Sequence, residues 1–228
     1  MTTRKYGQLC PVARALDVVG DRWNLLLVRE LLLGPKRFKE LLAALPAMGP
    51  NRLTDRLTDL EADGIVARRT LPPPGDVPVY ELTSFGERLR PVVLSLAAFG
   101  ANLPVDHSID PATARPDLYA LALAETSPAA MRAGRRGTYE MHIGPHVFHL
   151  RVEDGAVSVR SGPSATPADL TVSCTLDTFN SLVSGAITPA QAVRADHLLA
   201  AGAPGELNHL FRMLRSANLK RPLRIAPA

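Results

Sequence analysis

Pro50-Asn51-Arg52-Leu53-Thr54-Asp55-Arg56-Leu57-Thr58-Asp59-Leu60-Glu61-Ala62-Asp63-Gly64 reads as a helix that separates its residues by side. Leu53, Leu57 and Leu60 recur at i, i+4 and i+7 and must face a core. At about 100° per residue the opposite face centres on Asp55 and is flanked by Asn51, Arg52, Thr58 and Asp59. Asn51 and Arg52 fall in the first turn. An arginine there can pair with guanine O6 and N7, and an asparagine with adenine N6 and N7.

The elements on either side set this helix in a frame. Upstream, Val12, Leu16 and Val19 share one face of a first helix, and Leu25, Leu26, Arg29 and Leu33 lie around a second. Gly20 and Gly34-Pro35 punctuate them. Phe38, Leu41, Leu42 and Leu45 define a short third helix ended by Pro46, and a turn through Met48 and Gly49 leads into the fourth. Two short helices joined by a glycine-containing turn are the helix-turn-helix unit. After Gly64 the period drops to two, in Ile65–Leu71 and Val79–Thr83, around a proline-rich tip. Such a hairpin is a wing, and Arg68 and Arg69 at its base would meet phosphates, which supply affinity and salt dependence but little sequence information. Thr83 or Ser84 is expected to cap a helix from about Phe85 to Phe99. Its Leu89, Val92, Val93, Leu96 and Phe99 exceed what a solvated helix needs, which suggests a dimer contact.

With those phrases in order, residues 5 to 103 closely resemble the HxlR-type winged helix-turn-helix regulators. The matching phrases are Cys10-Pro11-Val12, Leu16–Trp23, Arg29-Glu30-Leu31, Arg37–Leu41, Leu53–Leu57, Leu60–Gly64 and Tyr80–Thr83 with Gly86. The resemblance implies a homodimer on double-stranded DNA, its fourth helices in adjacent major grooves of a dyad-symmetric operator. Candidate DNA contacts are Arg37, Asn51, Arg52, Thr54, Asp55, Arg56, Thr58, Arg68 and Arg69. Asp55 and Asp59 would repel phosphate unless they read cytosine N4 or pair with Arg52 or Arg56, which are close enough to do so.

Cys10 precedes Pro11, which favours the first helical position, so the thiol sits at an N-cap where the helix dipole lowers its pKa. Some members of the resembling family use a cysteine here as a sensor of oxidants or electrophiles; the alternative is a small packing residue. Cys174, on the alternating run Leu170, Val172, Cys174, Leu176, reads as core. Two cysteines so far apart indicate neither a disulfide framework nor zinc. His142, His146 and His149 are expected on a solvated strand face rather than on a metal.

The 228 residues, 46% apolar and 21% charged, are ample for folded domains, and the net charge of +4 favours an anionic partner without naming one. The polar start from Met1 to Gln8 does not resemble a signal peptide, and Val92–Val105 is too short and interrupted for an expected membrane span. A cytoplasmic protein is expected. No nucleophile with an orienting base, glycine-rich phosphate loop or metal signature appears, so neither an enzyme nor a cofactor is anticipated.

The composition shifts at residues 104–116, a linker rich in Pro, Asp and small residues, which divides the chain into 1–103 and 117–228. Beyond it, a helix from Asp117 to about Glu125 and a turn near Ala129–Arg132 precede strand-like runs at Gly137–Ile143, His146–Glu153, Ala156–Ser161 and Asp169–Thr175. Asp154-Gly155 is a hairpin turn between two of them. The chain then returns to helices around Phe179, Pro189–Arg194 and Leu207–Leu214. The fold class is α+β: a winged helix-turn-helix followed by an antiparallel sheet packed with helices. Residues 115 to 216 resemble the type-two sterol carrier fold, through Tyr139-Glu140-Met141, Asp154-Gly155, Ala168–Cys174, Phe179 with Leu182 and Gly185, Pro189 with Ala192, and Leu198–Gly202. Ala200–Ala203 departs from the more acidic turn usual there. The resemblance implies an apolar tunnel for a lipid, sterol, acyl chain or flat hydrophobic effector, lined by Phe148, Leu176, Phe179, Leu182, Val183, Leu210, Phe211 and Leu214. The same residues would serve as ordinary core, leaving a closed dimerisation module open. The whole therefore reads as a DNA-binding transcriptional regulator, expected to repress, and modulated by an apolar effector. A redox regulator acting through Cys10, or a carrier of hydrophobic metabolites, is the alternative.

Overall fold

The computed structural model describes residues 5–71, 77–104, 110, 113–129 and 132–215. The proline-rich wing tip at 72–76, most of the linker and residues 130–131 of the turn before the first long strand lie outside them, as do the first four residues and 216–228. The chain forms two compact units, Met1–Ser95 and Leu96–Ala228.

The first unit runs α1 (Pro11–Val19), α2 (Asn24–Leu31), α3 (Phe38–Ala44), α4 (Pro50–Ala62), β1 (Val66–Thr70) and β2 (Pro78–Leu82). A 3-10 segment, Gly86–Leu89, follows, and then α5 (Arg90–Gly100), within which the division between units falls. The expected single helix from Phe85 is thus two pieces. Thr83 caps the first: its Oγ1 accepts from Gly86 N at 2.9 Å and donates to Gly64 O at 2.6 Å. Gly86 is required there, because a Cβ would collide with the Ile65 carbonyl oxygen. The core gathers Leu27, Val28, Leu31, Leu41, Leu53, Leu57, Leu60, Ile65 and Val79. The stripe of α2 that is buried is therefore Leu27, Val28 and Leu31, with Leu25 and Leu26 half-buried beside it. On α1 only Val19 of the expected apolar face is buried, while Val12 and Leu16 are exposed. On α5 Val93 is buried, but Val92, Leu96 and Phe99 are exposed.

Several family phrases turn out to be joinery. Asp21 accepts from Trp23 N at 3.0 Å, and Asn24 Nδ2 donates to Val18 O at 2.7 Å, so the bend between α1 and α2 is held by its own side chains. Arg29 Nη2 meets the fully buried Glu30 at 2.7 Å. Gly64, at φ +71°, ends α4 in a Schellman turn, with Ile65 N on Leu60 O and Gly64 N on Glu61 O.

The second unit contains α6 (Pro116–Thr126), β3 (Arg136–Ile143), β4 (His146–Glu153), β5 (Ala156–Ser161), β6 (Leu170–Cys174), α7 (Leu176–Ser184), α8 (Pro189–Arg194), β7 (Leu198–Gly202) and α9 (Pro204–Met213). The sheet order is β5-β4-β3-β6-β7. It is mixed rather than antiparallel, since β6 runs parallel to β3 with Met141 opposite Val172. The connection at 162–169 carries the chain from one sheet edge past β3. Its ends are tied down by Glu140 Oε2 accepting from Ser164 N, and by Asp169 Oδ2 accepting from Thr138 N, both at 2.8 Å. A fifth strand, β7, stands where the chain was expected to have returned to helices. Gly202 lets it approach, because a Cβ there would meet the Asp169 carbonyl. The Asp154-Gly155 turn has φ of 50° and 82°, as a two-residue hairpin requires.

Alternation along the strands places Tyr139, Met141, Ile143, Phe148, Leu150, Val152, Val159, Leu170 and Val172 in the core. The neighbouring positions form a polar face. There His142 Nε2 lies 2.8 Å from Glu140 Oε1, and His149 Nδ1 lies 3.0 Å from Gly162 O. His146 belongs to the other set by parity. Cys174 is half-buried, and burial pushes its thiol up to about 12.

Candidate nucleic-acid interface

α4 presents its polar face because its apolar face has nowhere else to go: Leu53, Leu57 and Leu60 are at most 1% exposed. Asn51, Arg52, Thr54, Asp55 and Thr58 are all exposed. Gly49 is the N-cap and contributes no side-chain bond, and Pro50 fills the first helical position. The N–H groups of Asn51 and Arg52 therefore open the helix without a protein cap, at its electropositive end. A phosphate or a base edge finds there two side chains with fixed forks and two backbone donors. Thr54 turns its hydroxyl to Pro50 O at 3.1 Å, which leaves its methyl and one lone pair outward.

Arg56 is committed differently. It reaches Asp59 at 2.8 Å and Asp21 at 3.5 Å, and so braces α4 against the turn between α1 and α2. The expected pairing of Asp59 with a neighbouring arginine is thus made by Arg56, which gives this candidate DNA contact a structural task as well.

Arg37 is exposed at the N-cap of α3, where its backbone N donates to Glu40 Oε2 at 2.6 Å. The wing pairs Arg68 with Tyr80 and Arg69 with Val79. Arg68 lies over the Tyr80 ring at 6.0 Å, and Arg69 meets Glu81 at 2.8 Å. These contacts hold two exposed guanidinium groups on one hairpin. The hairpin itself is fixed to the helical part by reciprocal backbone bonds between Lys36 and Tyr80, 2.9 and 2.8 Å long. Reading the sequence missed Tyr80 and Lys36 as the parts that aim the wing. Only the hairpin register brings Tyr80 opposite Arg68, and the run Gly34-Pro35 signals a turn rather than a bridge.

Cys10 is the N-cap of α1, with Pro11 at the first helical position, and it is exposed. The N–H groups of Ala13 and Val12 hold its thiol below the usual range.

In the second unit, Phe148, Phe179, Leu182, Val183, Leu210, Phe211 and Leu214 are buried, and Leu176 is half-buried. They come from β4, α7, α9 and the residue after it, and α7 packs on α9. Tyr119 of α6 meets Phe179 edge-on, with centroids 6.4 Å apart. Near α9, Tyr139 donates to Glu206 at 2.6 Å, and burial raises its pKa, with that carboxylate adding to the effect. Asp117 is buried. Burial alone would raise its pKa, but Arg115, at 3.0 and 2.9 Å, and the Leu118 N–H hold its carboxyl below the usual range. Among the described residues, no group of three or more His, Cys, Asp and Glu could hold a metal, and no helix is long and apolar enough to cross a membrane.

Three helices, a fourth with an open polar first turn, and a two-stranded wing carrying paired arginines define a winged helix-turn-helix DNA-binding protein. Residues 18–107 match the family described as HxlR-like helix-turn-helix. Over 94 residues the chain is 40% identical to the uncharacterized HTH-type transcriptional regulator YybR of Bacillus subtilis, covering 40% of this chain and 73% of that protein. Over 92 residues it is 37% identical to the HTH-type transcriptional regulator YodB of the same organism, covering 40% of this chain and 82% of that one. Among solved structures, the redox regulator HypR in its oxidized form is 39% identical, over 42% of this chain and all of that one, with a TM-score of 0.40. The chain belongs to the HxlR-like helix-turn-helix family and is a DNA-binding regulator of transcription. Residues 133–220 match a second family, described as alkyl sulfatase C-terminal.

Proposed function

We propose that the protein binds a dyad-symmetric operator as a homodimer, with α4 of each copy in a major groove, and that an apolar small molecule in the second unit modulates this binding. The observation that carries the reading is the first turn of α4, where Asn51 and Arg52 are exposed on a helix whose leucines are buried. Asn51, Arg52, Thr54, Asp55 and Thr58 are the base-reading set, and Arg37, Arg68 and Arg69 meet phosphates. The exposed Val12 and Leu16 of α1 and Val92, Leu96 and Phe99 of α5 supply apolar surface for a second copy. The second unit, a sheet with one apolar face covered by helices, fits the sterol-carrier likeness of its sequence pattern. An effector there acts only through its differential affinity for the two states of the dimer. The reading gives the chain no catalytic role, and it acts in the compartment that holds the DNA.

The test is an anisotropy titration of an operator duplex, selected from a randomised pool, with the full chain at several salt concentrations. Tight binding whose affinity falls steeply with salt supports the reading. Equal affinity for selected and random duplexes contradicts it.

A second reading rests on Cys10, whose thiol is exposed and lowered by the amides of Ala13 and Val12. An oxidant or electrophile adding to this thiol would alter the start of α1. If operator binding by the wild type responds to diamide, Cys10→Ser abolishes the response; a response that persists in Cys10→Ser removes this reading.

A further inference from the structure

The two edges of the second unit's sheet are built differently. β5 is protected: α6 packs against it, it carries Arg160, and only Ala156 along it is fully exposed. On β7, Leu198-Leu199-Ala200-Ala201-Gly202, the helix that leads into it, α8, touches the strand but leaves most of it open. Four of its five residues are exposed, Leu199 at 64%, and it holds no charge, proline or bulge. Its inner side pairs with β6 in unbroken register, and no strand among the described residues pairs with its outer side. An uncharged, regular, open edge is a template for another strand, and folded proteins ordinarily block such an edge.

We propose that β7 is a subunit contact, in which two copies of the chain pair their β7 strands antiparallel about a twofold axis through Ala200. This joins two five-stranded sheets edge to edge. It rests on the homodimer reading above. The segment is self-complementary: with Ala200 facing its counterpart, Leu199 lies opposite Ala201 of the other copy, and no like charges meet. A twofold contact of this kind uses the same patch on both subunits and closes on itself. A ladder of five residues buries far less than the roughly 1,000 Å² of a free-standing interface. A diffusing partner would not be retained by it. A second copy already tethered through the DNA-reading half would be, because tethering supplies an effective concentration in the millimolar range.

In an antiparallel pair, facing residues have Cα atoms about 4.5 or 5.5 Å apart, both within disulfide reach. The test therefore places a cysteine on the twofold: full-length protein with Cys10→Ser and Ala200→Cys, diluted and treated with a mild thiol oxidant. Cys174 stays, since its thiol is half-buried and pushed up to about 12. Asp177→Cys, at another exposed position in the same background, is the control. A covalent dimer as the main product from Ala200→Cys, with little from Asp177→Cys, is expected. Hydrogen exchange should also show amides of residues 198–202 losing protection in Ala200→Lys, whose side chain is exposed and so leaves the fold intact. A dimeric native mass with no more cross-link from Ala200→Cys than from the control overturns the edge contact alone. A monomeric native mass overturns the homodimer reading, and this contact with it.

Discussion

The two units differ in what their polar residues are free to do. In the first, Asp21, Asn24, Glu30, Arg56 and Thr83 are all bound to neighbours, and against that background the unengaged first turn of α4 stands out. In the second, the residues proposed for a ligand are apolar and, Leu176 apart, buried, and burial is what any core requires of them. Function is legible where a side chain is exposed on a rigid element with no structural task. A buried apolar pattern fixes a fold but does not by itself separate a pocket from a core.

The largest expected effect probes the frame of α4. Leu57→Ala removes a side chain 1% exposed from the core beneath the reading face, and should cost about 2–5 kcal/mol in chemical denaturation. Loss of operator binding in step with unfolding, and not before it, would show the leucine to be frame only.

Next is the ion pair of the second unit, whose carboxylate is buried. Asp117→Asn removes the buried carboxylate that Arg115 meets and should destabilise that unit by about 1.5–3 kcal/mol. The sign with pH is set by the lowered pKa: the stabilisation is full above the ordinary carboxylate value of ~4 and is lost as pH falls through the lowered one. The acid limb of the unfolding profile should therefore flatten in Asp117→Asn. An unchanged acid limb would mean that the pair does not govern it.

Smaller effects separate reading from holding. Arg52→Ala should cost about 1–3 kcal/mol on the selected operator and relax one base position, whereas Arg69→Ala should weaken all duplexes alike and lower the salt slope by about one. Arg56→Ala should act mainly on stability, since that side chain is held by Asp59 and Asp21. A change in base preference from Arg56→Ala, measured by competition between duplexes, would return it to the reading set.

Much of the first unit is legible in the sequence alone. The period of Leu53, Leu57 and Leu60 located α4, and the change of period after Gly64 located the wing, because both signals are local. The stop at Gly64 and the turn at Asp154-Gly155 were legible for the same reason: each needs a positive φ that few residues tolerate. Pairing was not. The parallel union of β3 with β6 depends on a crossover held by Glu140 and Asp169, and nothing within a strand names its neighbour. β7 escaped because Leu-Leu-Ala-Ala-Gly has helix-forming composition and is overridden by its partner β6. The structural task of Arg56 was not legible, because Asp21 lies 35 residues earlier and only the folded chain brings it near. The Lys36–Tyr80 bridge that aims the wing was hidden for the same reason.

The function of the first unit turns most directly on what α4 reads. Parallel selections from a randomised duplex pool, with wild-type protein and with Arg52→Ala, measure it. We expect the wild type to enrich an inverted repeat with half-sites about one helical turn apart, and Arg52→Ala to enrich the same repeat with one position per half-site relaxed. Enrichment of no inverted repeat, or of an identical one by both proteins, would contradict the assignment of α4 as the reading helix.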